Sequence, residues 1–412
     1  NDKTTIFIYK TTSEPQVGLL SYFKVLSGTL KPGDELINAD NGEIERISQL
    51  FVAEGKDRTP VNKLEAGDLG VTVKLKSAHT NNTLNARGLI RKVRPMEFPE
   101  SRVRKAVSAE SSAETEKLFA ALNKIKEEDP TLKVDIDHDT HEAILGGQGQ
   151  LHIDLVKQRL EKEFGVKMQM KNPKVSYRET ITGKADADYR HKKQSGGAGQ
   201  FGEIHMRVEN FYEGMEDPQD FNIRQKEIED LPWGGKLAFY WCIVGGAIDS
   251  RYIGAIKKGI MSQMKNGSLT GSPCQNIRVS VYDGKMHSVD SNDISFQLAA
   301  SGAFKEAFQN AKPQLLEPMF HVEILCPNDA TGDVMGDLQA RRAVIAGMDS
   351  EGHYQKIIAE VPLAEMDDYG STLRQITGGK AKFSMSFSDY KLVPPNVQQD
   401  LVKKYTAERV DS

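Results

Sequence analysis

Cysteine is scarce in this chain of 412 residues: it has three, Cys242, Cys274 and Cys326, far apart in sequence. That count excludes a dense disulfide framework and suits a reducing compartment, and the spacing offers no zinc ligand set. Long hydrophobic runs are missing too. No stretch approaches the roughly 20 apolar residues that cross a bilayer as a helix, so no membrane association is expected. Neither a signal peptide nor a lipidation signal is recognisable. Charge of one sign is also lacking. The 54 Lys and Arg stand against 58 Asp and Glu, a net charge of −4. This argues against wholesale wrapping of nucleic acid, though it averages over local patches. There is no Gly-x-x-x-x-Gly-Lys-Ser/Thr phosphate loop and no dinucleotide fingerprint, and no Ser-His-Asp arrangement stands out. Nothing in the residues requires catalysis by this chain. The first residue is Asn1 rather than Met, so we expect the sequence to begin inside a longer protein.

What remains is ordinary for a soluble globular protein: 38% hydrophobic and 27% charged residues. The length predicts three or four domains. Residues 1 to about 90 read as β. Ile6 and Ile8 alternate with Phe7, Asp40-Asn41-Gly42 is a hairpin signal, and Leu69, Val71 and Val73 alternate after a Gly-Asp turn. Short strands at this spacing suggest a small barrel.

Residues 100 to 175 follow the order βαββαβ of a ferredoxin-like sandwich. Ser111 and Glu114 have capping-box spacing before a helix bearing Leu118, Leu122 and Ile125. A second helix carries Leu151, Leu155, Val156, Leu160 and Phe164. Glu128-Asp129 at the first helix's end reads as solvated or capping acids. His138-Asp139-Thr140-His141 reads as a polar turn rather than a metal site. Residues 319 to 390 repeat the βαββαβ order without repeating the sequence, and the tail beyond Pro394-Pro395 reads as a short helix. Compact sandwiches joined by short Pro-containing linkers suit rigid-body motion.

The middle, about 180 to 317, carries the chemistry. Its last helix has Phe296, Ala300, Phe304 and Phe308 four apart, a buried stripe that Asp290 or Ser291 can cap. In Lys192-Lys193-Gln194-Ser195-Gly196-Gly197-Ala198-Gly199-Gln200-Phe201-Gly202, four glycines fall within seven residues beside two lysines. Glycine lets a backbone turn tightly and approach a surface closely, and bare N–H groups with lysines favour a phosphate-rich partner. The plainer alternative is a solvated turn. A second segment, Gly284-Lys285-Met286-His287-Ser288-Val289-Asp290, must be a loop immediately before the helix cap. Charge nearby is segregated. Arg251, Lys257, Lys258, Lys265, Arg278 and Lys285 face one acid, Asp283, between residues 251 and 285. From Glu209 to Asp230 eight acids stand against Arg224 and Lys226. The basic run is a candidate RNA-facing surface, or merely a solvated face.

Taken together, Lys193-Gln194-Ser195-Gly196-Gly197-x-Gly199-Gln200-Phe201-Gly202, His287-Ser288-Val289-Asp290-Ser291 and Leu298-Ala299-Ala300-Ser301-x-Ala303-Phe304-Lys305 resemble the fourth domain of bacterial elongation factor G. Lys312-Pro313-x-Leu315-Leu316-Glu317-Pro318-Met319, Thr331-Gly332-Asp333-Val334 and Val361-Pro362-Leu363-Ala364-Glu365-Met366 resemble its fifth. Gly149-x-Leu151-His152-Ile153-Asp154 and Pro173-x-Val175-x-Tyr177-Arg178-Glu179-Thr180 resemble its third, and Ser27-Gly28-Thr29-Leu30-x-x-Gly33-Asp34 the barrel of translational GTPases. The resemblance covers nearly the whole chain in the family's order, starting from the second domain.

It implies a multidomain α+β protein: a β-barrel (1–92), a ferredoxin-like domain (93–178), an α+β domain of the ribosomal protein S5 domain 2-like kind (179–316), a second ferredoxin-like domain (317–396) and a tail (397–412). It further implies a cytoplasmic monomer that binds the ribosome through the rRNA of both subunits and acts on tRNA and mRNA in translocation. GTP and Mg would belong to the family's GTPase domain, which would precede Asn1; none is expected in this chain. Recycling, tetracycline protection and nucleotide-independent RNA binding are the alternatives. By the same resemblance, Lys193 to Gln200 and Gly284 to Asp290 form the tip, with His287 at its end.

The sequence departs from the family at Ala198, where Arg is common, and at Phe201, where Tyr is common. The Gly245-Gly246-Ala247-Ile248 segment lacks a usual proline, and the acidic stretch is longer than usual. The exchange at Ala198 removes one cation. Ala198→Arg is expected to strengthen ribosome binding and steepen its salt dependence by about one phosphate contact; an unchanged salt slope would rule that contact out.

Overall fold

A computed structural model describes residues 3–14, 17–137, 139–194 and 199–410 as a multidomain α+β protein. The chain divides into two compact units. One holds Asn1–Lys174 with Gly370–Thr372; the other holds Val175–Tyr369 with Leu373–Ser412. Among the described residues no helix is long and apolar enough to cross a membrane.

The first unit opens on eight antiparallel strands in the order Ile44–Arg46, Glu35–Asn38, Thr83–Ala86, Thr5–Glu14, Gly18–Ser27, Leu69–Val73, Phe51–Glu54, Asp57–Pro60. Strand alternation sends Ile6 and Ile8 into a core with Phe23, Val25 and Leu84. Val71 and Val73 are buried beside Leu20. Leu69 shares their side of the strand but is exposed, because it lies at the strand's first residue, outside that cluster.

The same unit contains a four-stranded antiparallel sheet, Lys133–Ile136, Ala143–Gly147, Val103–Ala109 and Met168–Lys171. Helices Thr115–Glu128 and Gln150–Phe164 pack on it through Leu118, Leu122, Ile125, Ile153, Val156 and Leu160. In the second helix, residues 153, 156 and 160 define the buried face by their spacing of three and four. Leu151 and Leu155 lie on another face and are 72% and 49% exposed, contrary to expectation. The capping box at Ser111 also does not form. Ser112–Glu114 is a 3-10 turn without a side-chain cap, and the helix proper starts at Thr115. The Ser111 hydroxyl lies 3.5 Å from the Glu114 carboxylate instead. Glu128 is no idle solvated acid: it accepts hydrogen bonds from the Ser13 backbone and from Arg159 Nη2, each at 2.7 Å, and so ties this helix to the strand Thr5–Glu14.

The second unit has two five-stranded sheets. One runs Lys184–Lys193, Gln200–Asn210, Ile277–Lys285, Lys236–Trp241, Gln225–Asp230. Its pairs are antiparallel except Lys236–Trp241 with Ile277–Lys285. Helices Ile253–Lys265 and Asp293–Asn310 cover one face, and the stripe Phe296, Ala300, Phe304 and Phe308 is wholly buried there. The other sheet is built on the fifteen-residue strand Pro313–Pro327, which pairs with Arg178–Ile181, Tyr354–Pro362 and Lys382–Leu392. Val344–Glu351 adds an edge, and helices Thr331–Ala340 and Tyr369–Thr377 pack through Val334, Leu338, Tyr369 and Leu373. Pro313 opens this strand and Pro318 stands inside it. The tail is helical from Pro395 to Val410.

Arg178–Ile181 lies between the two sheets' cores. Ile181 is buried in the first, while its backbone pairs with the long strand of the second. Beside it, the buried Glu179 carboxylate accepts the N–H groups of Leu269, Thr270 and Ser272 at 2.9, 2.8 and 3.2 Å. Burial pushes this carboxyl up, against the hydrogen bonds that favour the anion. Glu179→Ala would leave these three donors without their acceptor. At roughly 1–3 kcal/mol per unsatisfied donor, we expect a loss of about 3 kcal/mol or more, read as a lower urea midpoint for this unit. A loss below about 1 kcal/mol would mean the loop finds other acceptors.

Candidate nucleic-acid interface

Three neighbouring strands carry the two loops singled out in the sequence. Lys184–Lys193 and Gln200–Asn210 form a hairpin, with Lys193 opposite Gln200. Ile277–Lys285 flanks the hairpin on its other side, with Lys285 opposite Glu203. Ser195, Gly196, Gly197 and Ala198 lie outside the described residues. Lys193 and Gln194 are exposed on one side of that gap, while Gly199 is buried on the other.

The loops are tied to each other across about ninety residues of chain. Phe201 N–H donates to the Asp290 carbonyl at 2.9 Å, and Gly199 N–H to the Asp290 carboxylate at 3.1 Å. Ser291 Oγ donates to the Phe201 carbonyl at 2.8 Å and accepts from His287 N–H at 2.8 Å. A Cβ on Gly199 would stand 3.0 Å from the Asp290 carboxyl carbon, so glycine permits this approach. Gly284 is tighter still: a Cβ there would lie 2.2 Å from the Glu203 carbonyl. Asp290 and Ser291 are thus used in joining the loops, and the helix cap is Asn292, whose Oδ1 accepts from Ser295 N–H at 2.9 Å.

His287 stands exposed beside Phe201, ring centroids 6.3 Å apart and edge on. Its Nδ1 accepts from the N–H groups of Val289 and Asp290 at 3.3 and 3.2 Å. The Asp290 carboxylate is 3.2 Å from the same nitrogen, a partner for it when the ring is protonated. Lys285, Met286 and Ser288 are exposed around it.

Beneath both loops lies a charged group that the sequence reading missed. Glu203 is buried, and its carboxylate accepts from Arg190 Nε at 2.5 Å and His205 Nε2 at 3.0 Å, with Lys285 Nζ at 3.9 Å. Burial by itself raises this carboxyl. The Arg190 and His205 hydrogen bonds, with the charges of Arg190 and Lys285, outweigh it and hold the group below its ordinary value. The signal was in the alternation: Glu203, His205, Arg207 and Glu209 interleave with Ile204, Met206 and Val208, marking a charged outer face.

Two members of the basic run, Lys257 and Arg278, are drawn into pairs with the acidic stretch. Arg278 is 4% exposed, pairs with Glu209 at 2.9 Å and donates to the Glu216 carbonyl at 2.6 Å. Lys257 pairs with Glu227 and Glu229 at 2.9 and 3.4 Å. The acidic stretch folds over the sheet's second face. Phe221 stacks on Tyr282, Arg207 pairs with Asp220, and Lys226 and the Tyr240 hydroxyl both reach Asp217. Part of the charge segregated in sequence is therefore paired in space. Lys258 and Lys265 remain exposed, as does Arg251, which lies over the Tyr252 ring. Among the described residues, no group of three or more His, Cys, Asp or Glu could hold a metal ion.

Family models match in series along the chain. Elongation factor Tu domain 2 matches residues 18–84, and elongation factor G domain III matches 98–172. Elongation factor G domain IV matches 173–217 and 217–312, and the elongation factor G C-terminus matches 314–401. The chain belongs to the elongation factor G family. Both loops fall inside the domain IV match. An elongation factor G-like protein of Thermotoga maritima is 38% identical over 403 residues, 98% of this chain and 56% of that protein. Elongation factor G of Thermotoga neapolitana is 36% identical over 403 residues, covering 98% and 55%. A crystal structure from Thermus thermophilus superposes with a TM-score of 0.82 at 35% identity, over 98% of this chain and 58% of that one. The chain thus spans little more than half the length of these relatives.

The lowered carboxyl of Glu203 sets a direction with pH. Its folded value lies below its unfolded one, so its contribution to stability is present above the unfolded value and is lost as pH falls through the folded value. Acid titration of unfolding should be steeper for the parent than for Glu203→Gln below about pH 4.5; parallel curves would contradict the assignment.

Proposed function

We propose that these residues are the RNA-probing part of a ribosomal translocation factor. In this reading the tip of residues 193–200 and 284–290 enters the decoding region. It holds the codon–anticodon duplex while tRNA and mRNA advance by one codon. The observation that carries the proposal is the joining of the two loops through Asp290 and Ser291, which fixes one small end, with His287 and lysines exposed, at the edge of a rigid sheet. Helical RNA is read by shape and backbone contact, and a pre-formed end of this kind suits that task. Lys193 and Lys285 are exposed at this end, while Lys257 and Arg278 of the flanking run are paired with acids of the same domain.

The partners would be rRNA of both subunits and the tRNA–mRNA pair, met by a cytoplasmic monomer. GTP with Mg would supply the drive from a domain other than these. The 412 residues contain no phosphate loop to hold the nucleotide, so no step within them runs through it.

Toeprinting tests this directly. In the full natural protein, His287→Ala is expected to slow single-turnover translocation roughly tenfold while changing ribosome affinity less than about threefold. Equal rates for parent and variant would defeat the role of His287. Failure of the parent to shift the messenger by a codon length would defeat the translocase reading itself.

A further inference from the structure

Glu203 occupies an unusual place. It lies on the central of three strands, opposite Arg190 on one side and Lys285 on the other. Arg190 is three residues before Lys193, where one tip loop leaves the sheet; Lys285 is two residues before His287 in the other. The Glu203 side chain is 6% exposed, while those of Arg190 and Lys285 are 55% and 66% exposed. One buried anion therefore draws an otherwise solvated cation from each neighbouring strand. His205, two residues on along the same strand, completes the set and meets Tyr282 edge on at 6.3 Å.

We propose that Glu203 is a positioning residue for the tip, fixing the spacing of the two loop roots by holding Arg190 and Lys285 against the central strand. This rests on the reading of the tip as the RNA-contacting end. The physical reason is an asymmetry of cost. A carboxylate removed from water is expensive unless it is paired and hydrogen-bonded. Arg190 moving outward would leave that charge less compensated, so both flanking strands are restrained at the level where the loops begin. Gly284 lets the backbone of its strand come close enough for the node to form. Neither cation is spent: each keeps a solvent-facing side near the proposed RNA contact.

Two opposite effects distinguish positioning from mere packing. Glu203→Gln keeps the shape but frees Arg190 and Lys285, which adds net positive charge beside the tip. RNA affinity should then rise while the loops lose their fixed spacing. Arg190→Gln loosens the same node but removes a cation. Single-turnover translocation and the salt dependence of ribosome binding would be measured for the full natural protein, Glu203→Gln, Arg190→Gln and His287→Ala. We expect both node variants to translocate roughly five- to tenfold more slowly. We expect the salt slope to steepen by about one for Glu203→Gln and not for Arg190→Gln. Parent-like translocation by both node variants, with His287→Ala slowed, would overturn the role of Glu203 alone. Slow translocation with an unchanged salt slope for Glu203→Gln would reduce the residue to packing and overturn it too. Parent-like rates for all three variants would remove the tip reading and this inference with it. Should Glu203→Gln fail to fold, judged by circular dichroism, Arg190→Gln decides: slowing sustains the proposal and a parent-like rate overturns it.

Discussion

The strand Gln200–Asn210 is hydrogen-bonded along both edges, and the placing of the two loops depends on that double pairing. Its start is where the constraint is greatest. Phe201 gives its N–H to Asp290 and receives Ser291 Oγ at its carbonyl, so one residue is held by a loop that arrives ninety positions later. A loop pinned this way loses little entropy on meeting a partner, because the ordering was completed in folding. Glycines 199 and 284 make the close approaches sterically possible, and the charged node at Glu203 sets what lies beneath.

Much of this architecture was legible because it rests on local periodicity. The stripe Phe296, Ala300, Phe304 and Phe308 predicted a buried helix, and the alternation at Ile6 and Ile8 predicted a strand. Failures came where two local choices were equally good and distant structure decided. Asp290, Ser291 and Asn292 are all competent caps; the first two are engaged by the glycine-loop strand, leaving Asn292 to the helix. Leu151 and Leu155 form an apolar pair at helical spacing, but the competing face at Ile153, Val156 and Leu160 meets the sheet. Glu128 looks like a helix-end acid until Ser13, over a hundred residues away, supplies its partner. Both loops of the site were legible as segments; the contacts joining them were not.

Charge was the least legible property. A run of six cations suggested a polyanion-binding face, yet Lys257 and Arg278 are paired with the acidic stretch. The acids that pair them belong to the stretch Glu209–Asp230. That stretch also brings Phe221 onto Tyr282 and Asp217 onto Tyr240, so its folding is driven by apolar contact and hydrogen bonding as well as by charge. Net charge by segment is therefore a poor guide to potential at a surface when the opposite segment folds back on it.

The strand Pro313–Pro327 has a mechanical consequence. At about 3.3 Å per residue it is roughly 50 Å long, and it starts three residues after the buried helix of one sheet and then forms the spine of the other. Its first residues pair with Arg178–Ile181, which itself pairs by backbone with Pro273 and Gln275. One continuous strand thus runs between the two halves of this unit, its pairing with Lys382–Leu392 shifted in register between Met319 and Phe320. A soft joint would let the halves reorient at no cost in hydrogen bonds, whereas here bending requires the pairing to twist or break. The two halves are therefore joined by backbone pairing rather than by a free loop.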